Sequence, residues 1–364
     1  MDQWRRLGGL ALDVAGLGPQ RTPFRVLFAT RGVKLLSYPE PDANAPALLL
    51  VPAPIKHSYI WDLCPKCSVV RHALRAGFRV YLLDWLEPGP EEQGFGFDMY
   101  ADRLIRECVA RIAEAADQER VFLAGHSLGG VFAAIFSALY PQRVRGLALL
   151  EAPLEFERHG GPLKALVDAS PPTDWLTVMP DGVPGAMLSA AGAIAAPNVF
   201  IGERLLDWWC SQGQLEAMQT HLRVMRWTMD EIPMSGRLLA DVVERLYRRN
   251  LFLLGRLSVN GRLAKPANII APVVSVVNPV SRVIPQGSIL QFHQVIASNE
   301  RRVLYYPGDI GVALQHVGVL VGRYTHRYIW PIILQWFHAI ACEPRLATGH
   351  AAKPALHGNT SVSP

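Results

Sequence analysis

The segment Val121-Phe122-Leu123-Ala124-Gly125-His126-Ser127-Leu128-Gly129-Gly130 constrains this chain more than any other. An apolar run ending at Gly125 predicts a buried strand. Ser127 to Tyr140, rich in Ala and Phe, predicts a helix that Pro141 closes. The G-x-S-x-G between them leaves room only for a sharp strand-to-helix turn, where side chains at the glycine positions would collide with the turn. Such a turn holds Ser127 in a strained conformation and exposes its hydroxyl. It also aims the Leu128 N–H and the positive end of the helix at a point where negative charge can develop. Ser127 is therefore the candidate nucleophile, with Leu128 as the first oxyanion donor.

The rest of the chain repeats that alternation. Strands are expected at Ala47–Val51, Phe78–Leu83, Val144–Leu150, Pro272–Val277 and Arg302–Tyr306, and helices at Val69–Ala76, Met99–Ala116 and Tyr328–Ala341. The fold class is α/β. With the serine turn in place, the specific expectation is an α/β-hydrolase fold, a mostly parallel sheet flanked by helices. Between Pro153 and Pro272 the rhythm is lost. That stretch carries Trp175, Trp208, Trp209 and Trp227 and reads as a mainly helical cap over the site. The expected organisation is an N-terminal segment (1–45), a first core part (46–155), the cap (156–265), a second core part (266–345) and a disordered tail (346–364).

Composition narrows the partners. In 364 residues with a formal charge of +5, the basic residues are spread along the chain and predict no nucleic-acid binding. The stretch from Gly185 to Gly202 is apolar but broken by Pro197 and Asn198, so a buried or lid helix is expected rather than a membrane span. No secretory signal is read at the N-terminus. The five cysteines form no regular framework, which points to a reducing, cytoplasmic setting. Cys64-Pro65-Lys66-Cys67 lacks a second cysteine pair or a thioredoxin-like context and reads as inert. No cofactor and no metal site is expected.

A serine hydroxyl needs a base, and in this fold it comes from a loop after the last strand, where Gln315-His316-Val317-Gly318 lies. His316 is favoured over His326 and His338 because it precedes small residues between strand and helix. The acid that orients the imidazole usually follows the strand at Pro272–Val277, yet no Asp or Glu occurs between Glu244 and Glu300. Glu151, at the end of the strand after the nucleophile helix, is the expected replacement. The segment Gly146 to Ala152 resembles that of haloalkane dehalogenases, which place a Glu there. Asp309 is the alternative acid. The second oxyanion donor belongs to the turn Pro52-Ala53-Pro54-Ile55. Prolines cannot donate, so Ile55 is expected first and Ala53 second.

Over about residues 46 to 340 the chain resembles the catalytic subunits of polyhydroxyalkanoate synthases, closest to the short class III type. The resemblance rests on Tyr59-Ile60-Trp61-Asp62-Leu63, Val80 to Trp85, the serine turn and Leu150 to Phe156. It continues through Met225-Arg226-Trp227, Leu246 to Asn250, Gly261-Arg262 and the His316 loop. Two positions depart from the family: its nucleophile is a cysteine where this chain has Ser127, and its catalytic aspartate in D-x-x-x-P falls on Ser281, with Pro285 matched. The resemblance implies an acyltransferase that takes an acyl group from a thioester, on coenzyme A or a carrier protein, or from an ester. It also implies a homodimer or an accessory subunit. Arg245, Arg248, Arg249, Arg256, Arg262 and Lys265 are candidates to meet the phosphates of such a donor. A hydrolase using the same residues, and a degenerate binding subunit, are the competing expectations.

Overall fold

The structure, a computed structural model, describes residues 2–39, 42, 44–179 and 181–342, and the expected disordered tail lies outside them. Eight strands form one sheet: β1 (Arg25–Thr30), β2 (Val33–Ser37), β3 (Ala47–Val51), β4 (Arg79–Trp85), β5 (Val121–His126), β6 (Val144–Leu150), β7 (Val273–Val277) and β8 (Arg301–Tyr305). Their spatial order is β1-β2-β4-β3-β5-β6-β7-β8. From β4 onward the pairs are parallel, while β2 runs antiparallel to both neighbours. This is the α/β-hydrolase fold.

Every residue of β3, β5 and β7 is buried, as expected of strands covered on both faces. Alternation sorts their side chains into two layers. Leu49, Val51, Leu123, Leu147 and Leu149 join the apolar layer that holds the nucleophile helix. Leu48, Leu50, Phe122, Ala148 and Leu150 face the layer under the last helix, Trp330–Cys342. The exposed residues of β1 and β8 lie at the two sheet edges.

The strands expected from the sequence are present within a residue or two. Three differences stand out. The sheet begins well before residue 46, because β1 and β2 form a hairpin that extends it; their partly polar residues suit an edge strand and give a weak apolar signal. A short helix, Gln315–Val321, precedes the last one. The stretch between β6 and β7 is mainly helical, but it ends in a small hairpin, Leu257–Val259 with Arg262–Ala264.

The helical insertion does not turn its tryptophans inward as a group. Trp175, Trp208 and Trp209 are exposed, whereas Trp227 is buried and donates its indole N–H to the His57 carbonyl at 2.8 Å. The apolar stretch from Gly185 divides into Gly185–Ala195 and Asn198–Ser211, bent by 101°. Among the described residues no single helix is long and apolar enough to cross a membrane.

Candidate active site

Ser127 sits at the end of β5 with φ 54° and ψ −128°, a left-handed conformation that a non-glycine residue adopts only under constraint. The constraint comes from close backbone packing. A Cβ on Gly125 would lie 2.5 Å from the Gly130 Cα. One on Gly129 would lie 2.2 Å from the Val51 carbonyl oxygen and 2.5 Å from that of Pro52. The glycines therefore let the turn close and let the loop after β3 lie directly against it. Gly130 and Val131 donate to the Ser127 carbonyl at 2.9 and 3.2 Å, which leaves Leu128 and Gly129 as the first amides of the helix with no acceptor inside it. The β3 loop is tied down by Trp85, whose indole N–H donates to the Pro52 carbonyl at 2.8 Å. Ala53 and Ile55 supply its non-proline amides.

His316 lies in the first turn of helix Gln315–Val321, not in a free loop as expected. Gly318 explains the small residue beside it, since a Cβ there would lie 2.0 Å from the Tyr306 hydroxyl. The His126 and His316 rings lie 4.6 Å apart between centroids, so the residue preceding the serine brings the histidine onto the turn. His126 Nε2 is 2.9 Å from the His316 carbonyl oxygen. A carbonyl only accepts, so His126 is the Nε2–H tautomer here. Burial and the neighbouring His316 hold its pKa well below that of a free imidazole.

His316 Nδ1 faces Glu151 Oε2 at 3.7 Å, and among the described residues neither atom has a hydrogen-bond partner. Glu151 is fully buried and has φ 46°. Its N–H donates to the Val276 carbonyl at 3.0 Å, and its Oε1 accepts from the Asn278 N–H at 2.6 Å. Burial pushes its carboxyl up to about 8, against the Asn278 amide and the Ser281 hydroxyl, which both stabilise the anion. Burial lowers His316 to about 4. Burial therefore works against charge on both groups and favours the neutral carboxyl beside the neutral imidazole.

Asp309, the alternative acid, is engaged elsewhere. Its carboxylate accepts the Tyr324 N–H at 3.0 and 3.2 Å and the Tyr306 hydroxyl at 3.4 Å, securing the chain after the His316 helix.

Two carboxylates that the sequence reading passed over connect the helical insertion to this site. Buried Asp207 accepts the backbone N–H groups of Gly311 and Ala313 at 2.8 and 2.7 Å and lies 2.6 Å from His221 Nδ1, which holds the segment leading to His316. Buried Glu231 takes the Lys56 ammonium at 2.6 Å, and the Ile232 N–H donates to the Ile55 carbonyl at 3.4 Å, which pins the β3 loop. The sequence signal for Asp207 would have been an acidic residue inside an otherwise apolar helix, whereas Glu231, in the extended segment after helix Leu215–Met229, carries none.

The basic residues named as candidates for phosphate contact differ in their surroundings. The Arg248 guanidinium is bound to Glu244 at 3.0 Å and to the carbonyls of Ser170 and Pro171 at 2.6 and 2.9 Å. Arg262 donates to the Leu139 carbonyl at 2.7 Å, and Arg245 pairs with Asp241 at 3.4 Å. Arg249, Arg256 and Lys265 are exposed. Arg245, Arg248 and Arg262 are thus each held by protein partners.

The α/β-hydrolase-fold family profile matches residues 46–185. Among solved structures, a hydrolase from Pseudomonas aeruginosa superposes with a TM-score of 0.53 at 17% identity, covering 88% of this chain and 98% of its own. Naproxen esterase from Bacillus subtilis gives 0.50 at 14%, covering 92% and 98%. At these identities the likeness is one of fold. In sequence, the chain is 28% identical over 333 residues to the poly(3-hydroxyalkanoate) polymerase subunit PhaC of Haloferax mediterranei, covering 90% of this chain and 66% of that protein. It is 24% identical to the subunit of the same name from Allochromatium vinosum, covering 93% of this chain and 95% of that one. It thus spans about two-thirds of the haloarchaeal relative and nearly the whole of the other. The chain is an enzyme of the α/β-hydrolase fold, homologous to the PhaC subunits of poly(3-hydroxyalkanoate) polymerases.

Proposed function

We propose that this protein is a serine acyltransferase in which Ser127 is acylated by a thioester or ester and passes the acyl group to an acceptor, with His316 as base and Glu151 as the acid that orients it. The observation that carries the reading is the facing pair of unpaired atoms, His316 Nδ1 and Glu151 Oε2, beside a strained serine turn. A closure of less than 1 Å would bring them within hydrogen-bond distance. With Nδ1 turned to the carboxylate, Nε2 is the ring nitrogen left to take the serine proton.

In the acylation step the Ser127 oxygen attacks the acyl carbon as its proton moves to His316. The oxyanion is met by the Leu128 amide and by the amide of Ile55, and the imidazolium returns the proton to the departing thiol or alcohol. An acceptor hydroxyl or thiol then repeats the sequence in reverse. The names of the relatives support a hydroxyacyl thioester as donor and an accessory subunit as partner. Serine in place of a cysteine nucleophile gives an oxygen ester, which is displaced less readily than a thioester. The same residues with water as acceptor would make a hydrolase.

Intact-protein mass spectrometry after brief exposure to acyl-coenzyme A thioesters and p-nitrophenyl esters tests the reading. The expected result is an acyl adduct on the wild type that clears when an alcohol or thiol is added. In Ser127→Ala it should be absent, with turnover reduced by about a million-fold. Rapid release of free acid without an acceptor would establish hydrolysis instead. No adduct from any donor would make the chain a binding subunit.

A further inference from the structure

We propose that Cys64 and Cys67 form a redox-active dithiol, a modification site that low-molecular-weight disulfides such as oxidised glutathione convert to an intrachain disulfide. The pair read as inert in the sequence because C-x-x-C alone says nothing of thiol placement. In the fold it spans a hairpin: Asp62–Cys64 and Cys67–Ser68 run antiparallel around Pro65-Lys66, and Cys64 and Cys67 are directly opposed partners. Opposed residues in an antiparallel pair have Cα atoms roughly 4.5–5.5 Å apart, inside the range of about 4.4–6.8 Å that a disulfide spans. The two free thiols are hydrogen-bonded to each other, and Cys67 Sγ lies 3.6 Å from Thr220 Oγ1.

Both thiols are largely buried, at 8% and 6% exposure, but they line a cavity of about 630 Å³ together with Lys66, His72, Arg223 and His326, which is the route for a small reagent. The surroundings divide the pair into an attacking and a resolving thiol. The hydrogen bond from Cys67, helped by the backbone amides of Lys66 and Cys67 and by the Arg223 charge, draws the Cys64 thiol down. The same bond and burial hold the Cys67 thiol up. Among the described residues no group of three His, Cys, Asp or Glu side chains converges as metal ligands, so the pair is read through thiol chemistry.

The exchange balances without further reactants. The Cys64 thiolate attacks one sulfur of the small disulfide, whose S–S bond breaks and releases one thiol, leaving a mixed disulfide on Cys64. Cys67 gives its proton to solvent and attacks the Cys64 sulfur, and the second small thiol leaves. Two protein thiols and one small disulfide become one protein disulfide and two small thiols.

The full-length protein is equilibrated in buffers of rising oxidised-to-reduced glutathione ratio, quenched with acid and N-ethylmaleimide, digested and read by mass spectrometry. The expected product is a Cys64–Cys67 linked peptide, two hydrogens lighter than the reduced form, whose fraction climbs with the ratio. Cys67→Ser should stop at a glutathione adduct on Cys64, and Cys64→Ser should leave Cys67 at least tenfold less modified. Exposed Cys210 serves as the internal measure of reagent activity. If the wild type shows glutathione on Cys210 but no linkage between Cys64 and Cys67 at any ratio, the proposal fails. This wild-type result does not depend on either variant folding, nor on the activity proposed for Ser127.

Discussion

The ends of β6 and β7 lie side by side and contribute opposite things to the same place. The β6 end projects a carboxylate, Glu151. The β7 end, where an acid was expected, has none and instead offers the Asn278 amide and the Ser281 hydroxyl to that carboxylate. The β6 carboxylate faces His316 Nδ1, and the β7 loop reaches that same carboxylate, so an acid anchored on either neighbour would lie close to the histidine. The difference lies in the environment. At β6 the carboxyl is fully enclosed and its proton is hard to remove, whereas the β7 loop surfaces at Pro279 and Val280, both exposed.

The largest test of this comparison is Glu151→Gln. If the acid has moved to β6, the amide should reduce acylation of Ser127 by about 10⁴-fold, as loss of a triad acid does, measured by the rate of fluorophosphonate labelling. Asp309→Asn should leave that rate within a few-fold. The wild-type rate should climb with pH through about 8, the value to which burial raises Glu151, because the ionised carboxylate is the form that orients His316 and stabilises its imidazolium. A flat profile would mean that Glu151 is already ionised or not involved.

Stability should shift next. The folded-state pKa of Glu151 lies above its ordinary value of 4.5, so the folded chain holds this proton after the unfolded chain has released it. The site therefore disfavours the fold increasingly from pH 4.5 to about 8, by up to about 1.4 kcal/mol per pH unit, and by a constant amount above that. Glu151→Gln has no proton to lose. It should gain on the wild type across that window, by a few kcal/mol in denaturant unfolding at pH 9, and hold no such advantage below pH 4.5. His316, lowered by burial to about 4, acts on the acid side, and its contribution is lost as the pH falls.

The double variant Glu151→Gln/Ser281→Asp puts the acid back on the β7 loop. It should recover about tenfold of the lost rate over Glu151→Gln alone, a coupling near 1.4 kcal/mol; no recovery would show that only β6 can aim a carboxylate here. Ser281→Ala alone is the smallest test. Removing one hydroxyl donor should raise the midpoint of the pH–rate profile by a few tenths of a unit and change the plateau rate by less than about threefold.

Much of the site was readable from residue order. The strand, Gly125, Ser127 and the helix could hardly be arranged otherwise, and the lack of any acid between Glu244 and Glu300 forced attention onto Glu151. The hairpin β1–β2 carries little strand signal because the exposed edge strand β1 mixes polar and apolar residues and β2 has only five residues without strict alternation, and the helix at His316 little helix signal because seven residues give too short a period to detect. The grip of Asp207 on Gly311 and Ala313 was also hidden, since it joins positions about a hundred residues apart.

By itself the sequence determined the α/β class, the serine turn and the pool of candidate bases and acids, because strand and helix periodicity and glycine sterics act over a few neighbouring residues. Only the tertiary structure decided which carboxylate faces His316, that Arg245, Arg248 and Arg262 are held by protein partners, and that Cys64 opposes Cys67. Those outcomes depend on distances and burial, which are set when segments far apart in the chain are brought together.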